Sequence, residues 1–341
     1  MKTQTFLLTV TLCILIIFNT ACVKEETGQK IKIGLVTGTG LLNDKGFNQQ
    51  AYEGMLLADS RVGGLECEVM ESTTNEQLVA NIDYFVKRGM DVIITLGFDA
   101  AEPTMKAAKD NPAIKFLLFD YSFPYLPGNM ATVVFQIDEA SFPCGFLAAW
   151  WATIRNPAKP SVGYVAGPDI PTIRQFTTSF ISGVNYYNLQ YGKSVSVSGA
   201  NSQSFADAQE GSRLAENLIN KGADVIFACA GETGNGALSK AKSANKTAIG
   251  VDTDQYLSFP QVSSILLTSC MKRLDEAVYS EIISITEGTF RGGQTLTYNL
   301  KNNGVDIAPY HDFEQFVPAE IKQAILSIKQ GIMQGTIKTG W

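Results

Sequence analysis

Arg88-Gly89-Met90-Asp91-Val92-Ile93 is answered by Lys221-Gly222-Ala223-Asp224-Val225-Ile226, and the match is one register of a repeat running through most of the chain. Counting forward from the two glycines, Asp120 lies 31 residues on and Asp252 lies 30 on, each ending an apolar run. A chain that writes one unit twice must fold as two similar bodies. The first copy predicts strands over 31–36, 67–71, 91–97 and 114–120 with helices over 46–59, 76–88 and 102–109. The second predicts strands over 161–167, 194–199, 224–231 and 246–252 with helices over 174–187, 207–221 and 235–244. Short apolar runs alternating with helix-period segments such as Phe47, Ala51, Met55 and Ala58 give parallel strands joined by crossover helices. A basic residue and a glycine before each Asp-Val-Ile supply a cation and a left-handed cap at a helix C-terminus. The fold class is therefore α/β, with two lobes whose strand ends face a shared cleft, each a mostly parallel sheet flanked by helices.

The lobes are not simply consecutive. Residues 130–138 read as a fifth strand leaving the first lobe, and 142–153 as the opening helix of the second. Strand 262–269 and helix 271–287 find no counterpart in the first copy, which suggests a return to the first lobe. A strand near 295–300 and helix 318–331 then rejoin the second. The expected lobes are residues 31–139 plus 262–290 and residues 140–261 plus 291–341. Three hinge crossings are expected near 138–141, 258–262 and 289–294.

At the N-terminus, Lys2 precedes an apolar run from Phe6 to Phe18, then Asn19-Thr20-Ala21-Cys22 and a polar stretch. This describes an export signal over 1–21, too short for a comfortable membrane span. Thr20-Ala21-Cys22 resembles a bacterial lipobox, with Asn19 where Leu is usual. The expectation is lipidation of Cys22 and a tether over 22–30, with the protein at the bacterial cell envelope facing the periplasm or exterior; a plain secreted protein and an uncleaved anchor are the alternatives. A net charge of −6 argues against nucleic acid as a partner. Cys67, Cys144, Cys229 and Cys270 are far apart and lack metal or redox spacing.

Asp120 and Asp252, one per lobe, are the leading site candidates. A carboxylate only accepts, so it suits a ligand rich in donors, such as a sugar diol or base N–H. Asn43 and Asp44 sit in the first strand–helix turn, where Asp44 also suits an N-cap. Phe47 and Phe205 each follow a loop and suit stacking on a flat base, or else helix-end core packing. Lys272 offsets the acidic charge, and Gly231 and Glu232 form part of a glycine-rich loop that backbone contacts would use. His311 is the only histidine, which leaves little for catalysis. Gly38 and Gly40 do not complete a dinucleotide fingerprint, and no cofactor is expected.

These segments resemble the basic membrane protein family, the purine nucleoside receptor A type of substrate-binding lipoproteins of ABC importers. The wording that carries the resemblance is GLLNDKGFNQQAYEG (40–54), FPCGFLAAWWA (142–152), KGADVIFACAGETGNG (221–236), AIGVDTDQ (248–255) and LTSCMKRLDEAV (267–278). The resemblance implies a type I periplasmic-binding-protein-like clamp, monomeric and non-enzymatic, which passes a nucleoside of inosine, guanosine or adenosine type to permease subunits. It implies a base held between Phe47 and Phe205 and contacted by Asn43, Asp44 and Asp120, with the ribose gripped by Asp252 and Lys272. Gly46 stands where the family usually has Ser, and Glu232 where it commonly has Gly. A nucleoside-cleaving enzyme, or the same clamp as a sensor or sugar receptor, are the alternative readings.

Overall fold

A computed structural model describes residues 30–341. The export signal, the lipidated Cys22 and all of the tether but Lys30 lie outside the described residues. The first lobe is laid down by β1 (Ile31–Thr39), α1 (Phe47–Val62), β2 (Leu65–Ser72), α2 (Asn75–Lys87), β3 (Val92–Leu96), α3 (Ala101–Asp110), β4 (Lys115–Phe119) and β5 (Met130–Phe135). The second follows with α4 (Asp138–Arg155), β6 (Ser161–Ala166), α5 (Pro171–Tyr191), β7 (Ser196–Asn201), α6 (Ala208–Asn220), β8 (Val225–Cys229), α7 (Gly231–Ser243), β9 (Thr247–Asp252), the short α8 (Gln255–Ser258) and β10 (Leu266–Lys272). The chain ends with α9 (Leu274–Thr286), β11 (Thr295–Tyr298), β12 (Val305–Ile307) and α10 (Ala319–Gln334).

Two six-stranded sheets result, ordered β11-β5-β4-β3-β1-β2 and β12-β10-β9-β8-β6-β7. Every pairing is parallel except β10 with β12. Parallel strands covered on both faces should be almost wholly apolar, and β3 and β8 are buried at every position. The caps that the repeat predicts are present, with Gly89 at φ +66° and Gly222 at φ +104°. One apolar core runs continuously through both lobes, and the far face of each sheet packs a smaller core of its own under α2 and α3 or under α6 and α7.

Two expectations are corrected. Strand β10 pairs with β9 and stays in the second lobe, while β11 pairs with β5 and belongs to the first. Each is the reverse of the sequence-based assignment. The reason is that the repeat is longer than it reads. β10 is the counterpart of β5, and each fifth strand hands its following helix to the opposite lobe. Thus α4 packs along α5, and α9 packs along α1. Glycines admit both exchanged helices: a Cβ on Gly54 would stand 2.3 Å from the Asp275 carbonyl oxygen, and one on Gly183 would stand 1.9 Å from that of Phe142.

The second and third crossings consequently fall at Arg273 and between Tyr298 and Val305, not near 258–262 and 289–294. All three crossings are laced together. Gln136 N–H donates to the Tyr298 carbonyl at 2.8 Å, Arg273 N–H to that of Gly304 at 2.9 Å, and Leu300 N–H to the Glu139 carboxylate at 2.7 Å.

Candidate functional site

The strand ends of both sheets converge on a cleft with about 810 Å³ of empty space, part of it open to solvent. Asp44, Phe47, Asp120, Phe205, Gly231, Asp252 and Lys272 all line it. The two repeat-derived aspartates share one backbone feature that the sequence did not reveal. Asp120 and Asp252 adopt left-handed conformations, at φ +67° and +66°. Such values are uncommon outside glycine, with Asp among the more tolerant residues, and they turn the chain sharply as it leaves β4 and β9.

Lys272 is the centre of the charge arrangement. It is 2% exposed, and its Nζ donates to Asp120 Oδ2 at 2.6 Å. Because β10 lies in the second sheet and β4 in the first, this ion pair spans the two lobes. The ammonium also lies 5.0 Å from the ring centre of Phe47, 5.5 Å from Phe135 and 5.4 Å from Phe176. Three ring faces and a carboxylate replace the water that such a buried charge gives up. Phe135 and Phe176 were not anticipated, because in sequence each reads as an ordinary apolar position of a strand or helix.

Asp252 differs from Asp120. It is 8% exposed, and no protein donor holds its carboxylate among the described residues. Burial pushes its pKa up to about 6; the nearby Lys272 charge counters this and the Asp120 charge adds to it. Gly46 of the first lobe lies directly opposite, where a Cβ would stand 3.3 Å from Asp252 Oδ2. Gly46, not Asp44, occupies the N-cap position of α1, but Asp44 caps the first turn from two residues upstream. Its oxygens accept from the backbone N–H groups of Gly46 and Asn48 at 2.9 Å and of Gln49 at 3.3 Å. Burial nevertheless raises it to about 7, the Asp252 charge adding to the effect and the three N–H donors opposing it.

Two candidates are not in the cleft lining. Asn43 is exposed, and its side-chain oxygen accepts from Lys45 Nζ. Asn48, one turn into α1, lines the cleft instead, but its amide is engaged by Gly38 N–H at 3.1 Å and the Leu41 carbonyl at 3.1 Å. Glu232 faces Asn235, accepting from its Nδ2 at 2.8 Å. The same Nδ2 reaches across the lobes to the Asp44 carbonyl at 2.7 Å, and Ser258 Oγ reaches the adjacent Lys45 carbonyl at 2.8 Å. Consecutive carbonyls of the first-lobe turn are thereby gripped by two second-lobe side chains. Replacing Asn235 with Ala is expected to weaken ligand affinity roughly three- to tenfold, the worth of one such bond, and to enlarge the ligand-free protein in small-angle scattering. An unchanged scattering profile would show that the grip does not hold the lobes together.

Phe205 sits in the loop before α6 with its ring over Gly167, where a Cβ would stand 2.2 Å from the ring, so only glycine fits there. Thr233 fixes that loop, its hydroxyl donating to the Ser204 carbonyl at 2.8 Å and accepting from Asp207 N–H at 2.9 Å. Cys229 also lines the cleft, but burial pushes its thiol far up, away from the thiolate a nucleophile needs. His311 lies outside the cleft lining, paired with Asp254 Oδ2 at 2.7 Å and stacked on Tyr256 at 3.9 Å between ring centres.

Two parallel lobes with an acidic, aromatic cleft at their facing strand ends define a bilobal solute-binding protein. A family model described as ABC transporter substrate-binding protein PnrA-like (Bmp) matches residues 30–340, and the chain belongs to that family. It is similar to the ABC transporter nucleoside-binding protein BmpA of Lactococcus lactis, 29% identical over 324 residues that cover 90% of this chain and 88% of that protein. Basic membrane protein B of Borreliella burgdorferi is 26% identical over 311 residues, 87% of this chain and 86% of its own length. Among solved structures, an ABC transporter solute-binding protein from Aeropyrum pernix superposes with a TM-score of 0.84 at 26% identity, covering 90% of this chain and 92% of its own. The protein is thus the substrate-binding component of an ABC transporter, with a permease and a small-molecule ligand as partners. Its family binds solutes and works outside the cytoplasm, with lipoproteins among the relatives. Among the described residues no helix is long and apolar enough to cross a membrane.

Proposed function

We propose that the protein captures a nucleoside, with a purine as the favoured base, and delivers it to an ABC importer while tethered to the envelope through lipid on Cys22. The observation that carries this reading is the open carboxylate of Asp252, set beside the Asp120–Lys272 pair and close to two aromatic residues. Two unclaimed acceptor oxygens suit the vicinal hydroxyls of a ribose, each of which donates one hydrogen bond. Phe47 and Phe205, from opposite lobes, suit the faces of a base. Ligand contacts to both lobes favour the closed arrangement over an open one, which is how a bilobal receptor reports occupancy. The name of the Lactococcus relative supports the same ligand class.

Isothermal calorimetry with purine nucleosides, pyrimidine nucleosides, free bases and pentoses tests the proposal. Purine nucleosides are expected to bind at least tenfold more tightly than either fragment, because only they use both the acidic and the aromatic parts of the cleft. Tighter binding of a free pentose would move the assignment to a sugar receptor. Release of free base during incubation would move it to an enzyme.

A further inference from the structure

A second acidic pole lies in the same cleft, and neither the sequence reading nor the proposed contacts use it. After β3, Gly97 adopts φ +86° and turns the chain so that Phe98 and Asp99 line the cleft. Asp99 lies in the short turn opening α3, yet neither that turn nor α3 has a side-chain capping bond. Its Oδ2 instead accepts from Thr39 Oγ1 at 2.8 Å, across from β3 to the end of β1. No cation pairs with it among the described residues, in contrast to Asp120. Asp99 is exposed at the rim of the cleft, and its Oδ1 accepts from no protein donor among the described residues.

The position of this pole follows from strand order. β4, β3 and β1 are neighbours, so β4 and β1 run about 10 Å apart, two strand spacings, with Asp120 following one and Thr39 ending the other. Asp99 leans toward β1 and therefore away from Asp120. One end of the cleft holds Lys272, Asp120 and Asp252, and the other holds Thr39 and Asp99. A pentose fills one end only, whereas a nucleoside spans both. With the ribose at the Asp252 end, a base extending toward β1 would bring its edge to Asp99.

We infer that Asp99, oriented by Thr39, selects a base presenting N–H at that edge, and so favours 6-oxopurine nucleosides over adenosine; this rests on the nucleoside reading above. Guanine offers its ring N1–H and exocyclic amine side by side, a matched pair for one carboxylate. Hypoxanthine offers N1–H. Adenine places a lone pair at N1, which faces an acceptor-only group and is repelled.

Calorimetric titration of the full-length protein and of Asp99→Asn with guanosine, inosine, adenosine and ribose separates the possibilities. The wild type is expected to bind guanosine and inosine about tenfold or more tightly than adenosine, the discrimination typical of one well-placed polar pair. Asp99→Asn should reduce that ratio to about threefold or less, chiefly by losing guanosine affinity, with ribose binding unchanged. Thr39→Ala, which frees the carboxylate without removing it, should show a smaller loss in the same direction. A wild type that prefers adenosine, or an Asp99→Asn protein with the same ratio as the wild type, would overturn the inference while leaving nucleoside capture standing. A wild type that binds none of the three nucleosides would instead overturn the functional reading itself.

Discussion

Lys272→Met is expected to abolish tight ligand binding while leaving the separate lobes folded. Met fills similar volume among Phe47, Phe135 and Phe176, so the aromatic cage does not collapse. What it removes is the only side-chain partner, among the described residues, of a carboxylate that is 10% exposed. Breaking a buried pair on one side costs about 3–5 kcal/mol, because the remaining charge is stranded. The stranded charge has an escape here, since Asp120 and Lys272 belong to different lobes and opening the cleft returns Asp120 to water. The energy therefore appears as a shift toward the open form, and affinity should fall by two orders of magnitude or more with a comparatively small change in melting temperature. Calorimetry combined with scattering reads both quantities. Wild-type affinity in Lys272→Met would mean that the interlobe ion pair does not govern closure.

Asp252→Ala should be nearly as severe. Each hydrogen bond to a charged group contributes roughly 1.5–3 kcal/mol, and this carboxylate has two oxygens free of protein donors. A loss of about a hundredfold or more is expected for nucleosides, with little effect on free bases. The raised pKa of Asp252 adds a pH signature. A ligand that donates hydrogen bonds favours the ionised form, so affinity should be level well above pH 6 and fall as pH drops through about 6. Asp252→Ala should lose that dependence. Asp44 predicts the opposite trend for folding. Its folded pKa, about 7, exceeds its ordinary 3.8, so its contribution is fully present below 3.8 and is lost as pH rises through about 7. Ligand-free stability from this group should decline across the interval in which affinity increases. A pH-independent affinity would remove Asp252 from the ligand contacts.

The sequence carried the two-lobed α/β plan because repeats and periodicity are local signals. It also carried the residues that polarity makes conspicuous, and Asp120, Asp252 and Lys272 do meet in one cleft. The errors have physical causes as well. Strands β10 and β11 exchange lobes relative to the sequence expectation because a short apolar strand pairs equally well with either sheet on local grounds. Only the full extent of the repeat distinguishes them. Asn43 lies outside the cleft lining because it is exposed and its side-chain oxygen is held by Lys45, a contact that the sequence of a turn does not reveal. Glu232 lies outside the cleft lining because it is tied to Asn235, whose own bond to the other lobe joins residues 191 positions apart and leaves no local signal. Asp99 carried no signal at all, since Phe98-Asp99 after a strand reads as an ordinary helix opening. The repeat offered a route to Phe135, as it precedes the first crossing just as Lys272 precedes the second.

The helices α4 and α9, each grown from one half and seated on the other, also constrain biogenesis. The first sheet waits for β11 and its helical layer for α9, so neither is complete until almost three hundred residues have emerged. A chain threaded outward from its N-terminus cannot finish its leading half alone, and maturation after export becomes a single, late, concerted event. Cutting the gene into halves would yield two open-faced fragments that need each other.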